Sequence, residues 1–144
     1  MNKSEIIATV YEAFGKGDIP TILEMLADDV QWESWADNTA QNAGIAYLKP
    51  QNGKAGAADF FKNVSETLSI KEFSVLSIME GKNQVAAEFV IEADVLTTGK
   101  SFRDEEVHLW SFNDKNEIIR FRHYLDTAKH IAASAKDAQI STSA

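Results

Sequence analysis

In the stretch RDEEVHLWSF, residues 103–112, Asp104, Glu106, His108, Trp110 and Phe112 occupy every second position, with Glu105, Val107, Leu109 and Ser111 between them. Side chains on a strand alternate between its two faces, so one face would carry two carboxylates, an imidazole and two large rings. Carboxylates and imidazoles are the usual groups of general acid and base catalysis, and rings around them exclude water. The segment EIIRFRHYL, residues 117–125, supplies a second imidazole, His123, on the side of Ile119, Phe121 and Leu125. Ionisable groups among rings are costly unless paired, and the same surroundings move their pKa values toward the range useful for proton transfer.

Glu106 and His108 are therefore the expected proton-transfer pair, with His123 orienting them. The plainer reading is that both histidines are core residues bonded to polar neighbours, with Glu106 and Asp104 half exposed at a sheet rim. Trp32, Trp110 and Phe121 are the expected apolar wall of a ligand pocket, and Tyr11 and Phe14 would join it from a helix. Asp104 and Trp35 complete the expected ligand contacts, Trp35 beside a long loop that it and Tyr47 flank. Glu106, His108 and His123 also match a two-histidine, one-carboxylate metal set. No spacing as diagnostic as HExxH accompanies them, so neither a metal nor a cofactor is expected.

The elements that must position these groups are legible in outline. Ile6, Ile7, Val10, Tyr11 and Phe14 recur at helical spacing behind an Asn2/Glu5 capping box, giving a first helix to about Gly15. Asp18 can cap a shorter helix with Ile22, Leu23 and Leu26 as its buried stripe. VQWESW, residues 30–35, alternates as a strand, and residues 36–54 read as a long loop. Ala57, Phe61, Val64 and Leu68 mark a third helix. KEFSVLSIME, QVAAEFVIEADVL, SFRDEEVHLWSF and EIIRFRHYL then follow with short turns between them, as an antiparallel meander. DTAKHIAASAKDA is a last helix and QISTSA a disordered tail. In residues 84–96 the odd positions are apolar and face inward; in 101–112 the even ones do.

The order implies an α+β fold in which helices pack on the concave side of a curved, cone-shaped antiparallel sheet. A chain of 144 residues forms one domain, expected over 1–135 with the tail at 136–144. A net charge of −8 argues against nucleic acid. The chain has no cysteine, which excludes disulfides and thiolate chemistry and suits the cytoplasm. No apolar stretch suggests a membrane span.

The pieces GDIPTILEMLADDVQWES, GKAGAADFFKNV and HLWSFNDKNEIIRFRHYLDTA resemble the SnoaL-like branch of the nuclear transport factor 2-like fold, which is related to ketosteroid isomerases, polyketide cyclases and limonene epoxide hydrolases. The resemblance implies a cone enclosing a small-molecule pocket, and it says more about fold than reaction. The steroid isomerases' aspartate base would fall at Ser34, which becomes a candidate ligand contact. Their oxyanion-hole tyrosine would fall near Val10, beside Tyr11, and their second acid at His108. That apparatus is missing, so steroid isomerisation is not expected. One acid of the epoxide hydrolases would fall at His123.

Two functions fit these residues. One is an enzyme acting on an apolar small molecule by acid and base chemistry, as an isomerase, cyclase or hydrolase. The other is a module that binds a hydrophobic ligand without turning it over. A homodimer is expected through the outer sheet face, where Val107, Leu109, Ile118 and Tyr124 form an apolar patch.

Overall fold

The structure, a computed structural model, describes residues 1–35 and 37–136. The tail expected at 136–144 lies, beyond Lys136, outside the described residues. Helix α1, Lys3–Gly15, starts as the sequence reads: the Asn2 side chain accepts from the Glu5 N–H, and the Glu5 carboxylate accepts from the Asn2 N–H. Asp18 caps α2, Ile19–Glu24. Strand β1, Leu26–Ser34, begins four residues before the apolar alternation becomes clear, so Leu26 opens the strand and lies outside the helical stripe.

The expected loop is more structured than its composition suggests. It holds a one-turn helix α3, Thr39–Asn42, a 3-10 turn at Ala46–Leu48 and a two-residue strand β2, Gln51–Asn52. Asn38 caps α3 by accepting from the Gln41 N–H. Polar residues that read as loop are thus helix caps and turn formers, and Ile45, Tyr47 and Leu48 are buried between them. Helix α4, Gly53–Thr67, leads into β3, Leu68–Glu80; β4, Gln84–Val95; β5, Ser101–Phe112; and β6, Ile118–Tyr124. Helix α5, Thr127–Ser134, is shorter than the sequence pattern suggests.

The six strands form one curved sheet in the order β2-β1-β6-β5-β4-β3. Neighbours from β3 to β6 pair antiparallel as the hairpin spacing implies. The β1–β6 seam differs: it is parallel, because β1 enters from the helical half of the chain and not through a hairpin. Helices α1, α2 and α4 cover one core, built on Ile7, Ile22, Trp32, Trp110 and Phe121. A second core lies under α3, the 3-10 turn and α5, around Tyr47, Phe89, Phe102 and Leu125.

Strand faces follow the sequence reading in β4 and β5, where the odd and the even positions respectively are buried. In β6 the reading holds for Phe121 and His123 and fails at its start. Ser111 pairs with Arg120 but Phe112 pairs with Ile118, so one extra residue bulges the strand and reverses the phase. Ile118 is fully buried and Ile119 is not. The outer apolar patch therefore loses Ile118 and keeps Val107, Leu109 and Tyr124, each half-buried. Asn116, in the left-handed region at φ 60, makes the β5–β6 turn, a conformation asparagine tolerates well.

Candidate functional site

Beneath α1 and α4 the sheet encloses a cavity of about 60 Å³, room for a few water molecules. Tyr11 and Phe14 reach it from α1 and Trp32 from β1. Glu106, His108 and Trp110 come from β5, and Phe121 and His123 from β6. Phe14, Val64, Ile70 and Phe73 keep partial exposure and mark its open side, between α1, α4 and β3.

The strand register explains the convergence. His108 pairs directly with His123 across β5 and β6, and Trp110 with Phe121, so the side chains of each pair project together from the same face. The two imidazole rings lie 4.7 Å apart, nearly perpendicular. Phe121 stacks on Trp32 at 4.3 Å and lies 4.6 Å from the His108 ring. Phe89 closes the other side of His108 at 4.2 Å.

A polar chain runs through this aromatic wall. The Trp110 indole N–H donates to the Tyr11 hydroxyl at 3.1 Å, and that hydroxyl lies 2.7 Å from His108 Nδ1. Because an indole can only donate, the Tyr11 hydrogen is free to go to His108 Nδ1, which leaves the imidazole hydrogen on Nε2. Burial holds His108 well below the ordinary histidine pKa, so the ring is neutral at pH 7. Burial likewise pushes the Tyr11 hydroxyl above its usual range, keeping it a donor.

The second chain begins at His123, whose Nε2 lies 2.5 Å from Glu106 Oε1. Glu106 Oε2 meets His130 Nε2 at 2.7 Å, and the same nitrogen lies 3.0 Å from Asp104 Oδ2. Burial alone would raise the Glu106 pKa, but the hydrogen bonds from His123 and His130 and the charge of His130 outweigh it and hold the carboxyl well below the usual range. Among the described residues, His123 Nδ1 is buried with no hydrogen-bond partner.

These distances redistribute the expected roles. Glu106 is bonded to His123 and His130 and not to His108, while His108 belongs to the Tyr11–Trp110 chain. Neither acid sits at a rim: Glu106 is 2% exposed and Asp104 3%. Asp104 faces His130 and the Asp126 N–H and lies outside the cavity lining. Trp35 packs edge-on against Tyr124 at 5.1 Å, on the sheet's outer side, and does not line the cavity. Ser34 pairs with His123 through the backbone, and its side chain lies outside what the structure describes. Glu106, His108 and His123 present polar atoms within 4.8 Å of one another, with His123 Nε2 on Glu106 and His108 Nδ1 on Tyr11, so the set is held by hydrogen bonds within the protein.

One polar residue escapes the sequence reading, and it is bonded to Tyr47 of the expected loop. His130, in the final helix, is 1% exposed, with Nδ1 2.7 Å from the Tyr47 hydroxyl. Its signal was present: it falls four residues after Asp126, the N-cap of α5, and so on one face with that cap. Tyr47, expected only to flank the long loop, is buried and pins that segment to His130.

Residues 7–121 match the SnoaL-like domain. No curated protein matches the chain. Among solved structures, a nuclear transport factor 2-like protein of unknown function from Burkholderia pseudomallei is similar at TM-score 0.79 and 21% identity, over 94% of this chain and 100% of that one. TerC, crystallised with polyporic acid, is similar at TM-score 0.76 and 22% identity, over 92% and 98%. A candidate polyketide cyclase from Pseudomonas putida gives TM-score 0.74 and 21% identity, over 94% and 99%.

Proposed function

The chain belongs to the SnoaL-like family of the nuclear transport factor 2-like fold, and from its cavity we propose that it binds an apolar small molecule and moves a proton on it, as an isomerase, cyclase or hydrolase does. The observation that carries this reading is His123, a cavity-lining imidazole with Nε2 on the Glu106 carboxylate and Nδ1 unpartnered. A carboxylate on one nitrogen fixes the tautomer and leaves the lone pair of the other free, which makes His123 Nδ1 the proton acceptor. Neutral His108 offers an N–H from Nε2, suited to stabilising oxygen on which negative charge develops. The aromatic wall keeps water out and strengthens both interactions. That TerC, of the same fold, was crystallised with polyporic acid is in keeping with a small-molecule ligand.

A panel of apolar ketones, lactones and epoxides, assayed for binding and turnover with wild type, His123→Gln and Glu106→Gln, tests the proposal. Turnover that survives in both variants rejects it. The narrow cavity of about 60 Å³ favours a second reading, binding without turnover, which ligand affinity alone in the same panel would support. The proposed setting is the cytoplasm. We also propose self-association through the outer face at Val107, Leu109 and Tyr124; sedimentation as a monomer at micromolar concentrations rejects it.

A further inference from the structure

Asp104 and Glu106 lie two residues apart on the same buried face of β5. Two carboxylates so placed cannot both stay ionised unless a cation meets them. The group that meets both is His130, whose Nε2 bridges Asp104 Oδ2 and Glu106 Oε2. The other polar groups described around them have defined places. The Asp126 backbone N–H donates to Asp104, Tyr47 takes His130 Nδ1 from the 3-10 turn, and His123 holds the far oxygen of Glu106 from β6. Lys129, next to His130, turns away and donates to the Arg103 carbonyl.

We propose that His130 is a positioning residue, a cationic strut from α5 that keeps Glu106 ionised and through it fixes the tautomer of His123. The inference rests on the reading of His123 given above. His130 edges the cavity, but both its nitrogens are committed to the protein, so it acts through Glu106. The helix is built to deliver it: Asp126 caps α5 by accepting from the Ala128 and Lys129 N–H groups, and its own N–H anchors the turn to Asp104. Burial opposes a charge on His130, yet its bonds to Asp104 and Glu106 prevail and push its pKa up to about 9. Phe102, 4.3 Å from the imidazole, keeps water away.

The test is side-chain NMR of the full chain, following imidazole nitrogens and carboxyl carbons across pH in wild type and His130→Gln. Glutamine keeps a hydrogen-bond donor and removes the charge. The expected result is a protonated His130 at pH 7 in wild type and, in the variant, a Glu106 titration raised by about 1–3 pH units with loss of the fixed His123 tautomer. An unmoved Glu106 titration overturns the inference, as does a neutral His130 at pH 7 in wild type. Should His130→Gln fail to fold, Asp104→Asn keeps the imidazole and removes one acid. A fall in the His130 titration with Glu106 still ionised then supports the strut, and an unchanged His130 overturns it. These spectra need no substrate, so this inference fails on them alone, whereas the role of His123 fails on its own assay.

Discussion

Tyr11 of α1 and His108 of β5, 97 residues apart in sequence, meet through a 2.7 Å hydrogen bond with their rings parallel. This bond ties the first helix to the strand that carries the chemistry, and it decides which His108 nitrogen keeps its hydrogen. Removing the hydroxyl with Tyr11→Phe leaves the buried Trp110 N–H and His108 Nδ1 unpaired. The expected loss is about 1–3 kcal/mol in chemical denaturation, with both His108 tautomers visible by nitrogen NMR.

His123→Gln is expected to lower turnover by roughly 10²–10⁴-fold, the usual contribution of a positioned base. His108→Asn, which keeps a donor, should lower it less. Steady-state rates on any substrate found in the panel give the comparison, and equal losses in the two variants contradict the division of roles.

Stability should peak near pH 6.5 and fall on both sides. His130 has a raised folded pKa, so its contribution is complete below the ordinary 6.5 and disappears as pH climbs to about 9. His108 has a lowered one, so its contribution is present above 6.5 and is lost on acidification. Glu106, also lowered, adds further acid sensitivity below the ordinary 4.5. The alkaline limb amounts to on the order of 3 kcal/mol. Thermal unfolding across pH measures it, and a flat profile from pH 6.5 to 9 contradicts it.

Asp126→Ala removes the side-chain cap of α5 and is expected to cost about 1 kcal/mol. Amide exchange should quicken in α5 more than in β5 or β6. Uniform quickening in all three elements counts against a local cap.

Much of this site can be read from residue order alone, and the limits have physical causes. The inward faces of β4 and β5 follow from plain alternation, which placed Glu106 and His108 correctly. His123 keeps its expected face because the bulge in β6 lies before it; Ile118 takes the opposite face because the bulge lies after it. Periodicity reports which face a side chain takes and is silent on partners, so the bonding of Glu106 to His123 and His130 had no sequence signature. His130 and Tyr47 sit in a short helix and an aperiodic segment, where too few turns exist for a pattern to emerge.

The parallel seam between β1 and β6 governs how the protein assembles. Glu33 and Arg122, paired across it at 3.4 Å, are separated by 89 residues, whereas β3 to β6 are joined by tight hairpins. Closing so long a loop costs more chain entropy than closing a hairpin, so the meander is set to form first and β1 to dock against β6 late. Trp32 arrives with β1, and only then does Phe121 gain its stacking partner. Until that step the histidines lack one wall, so the cavity is complete only once β1 has docked.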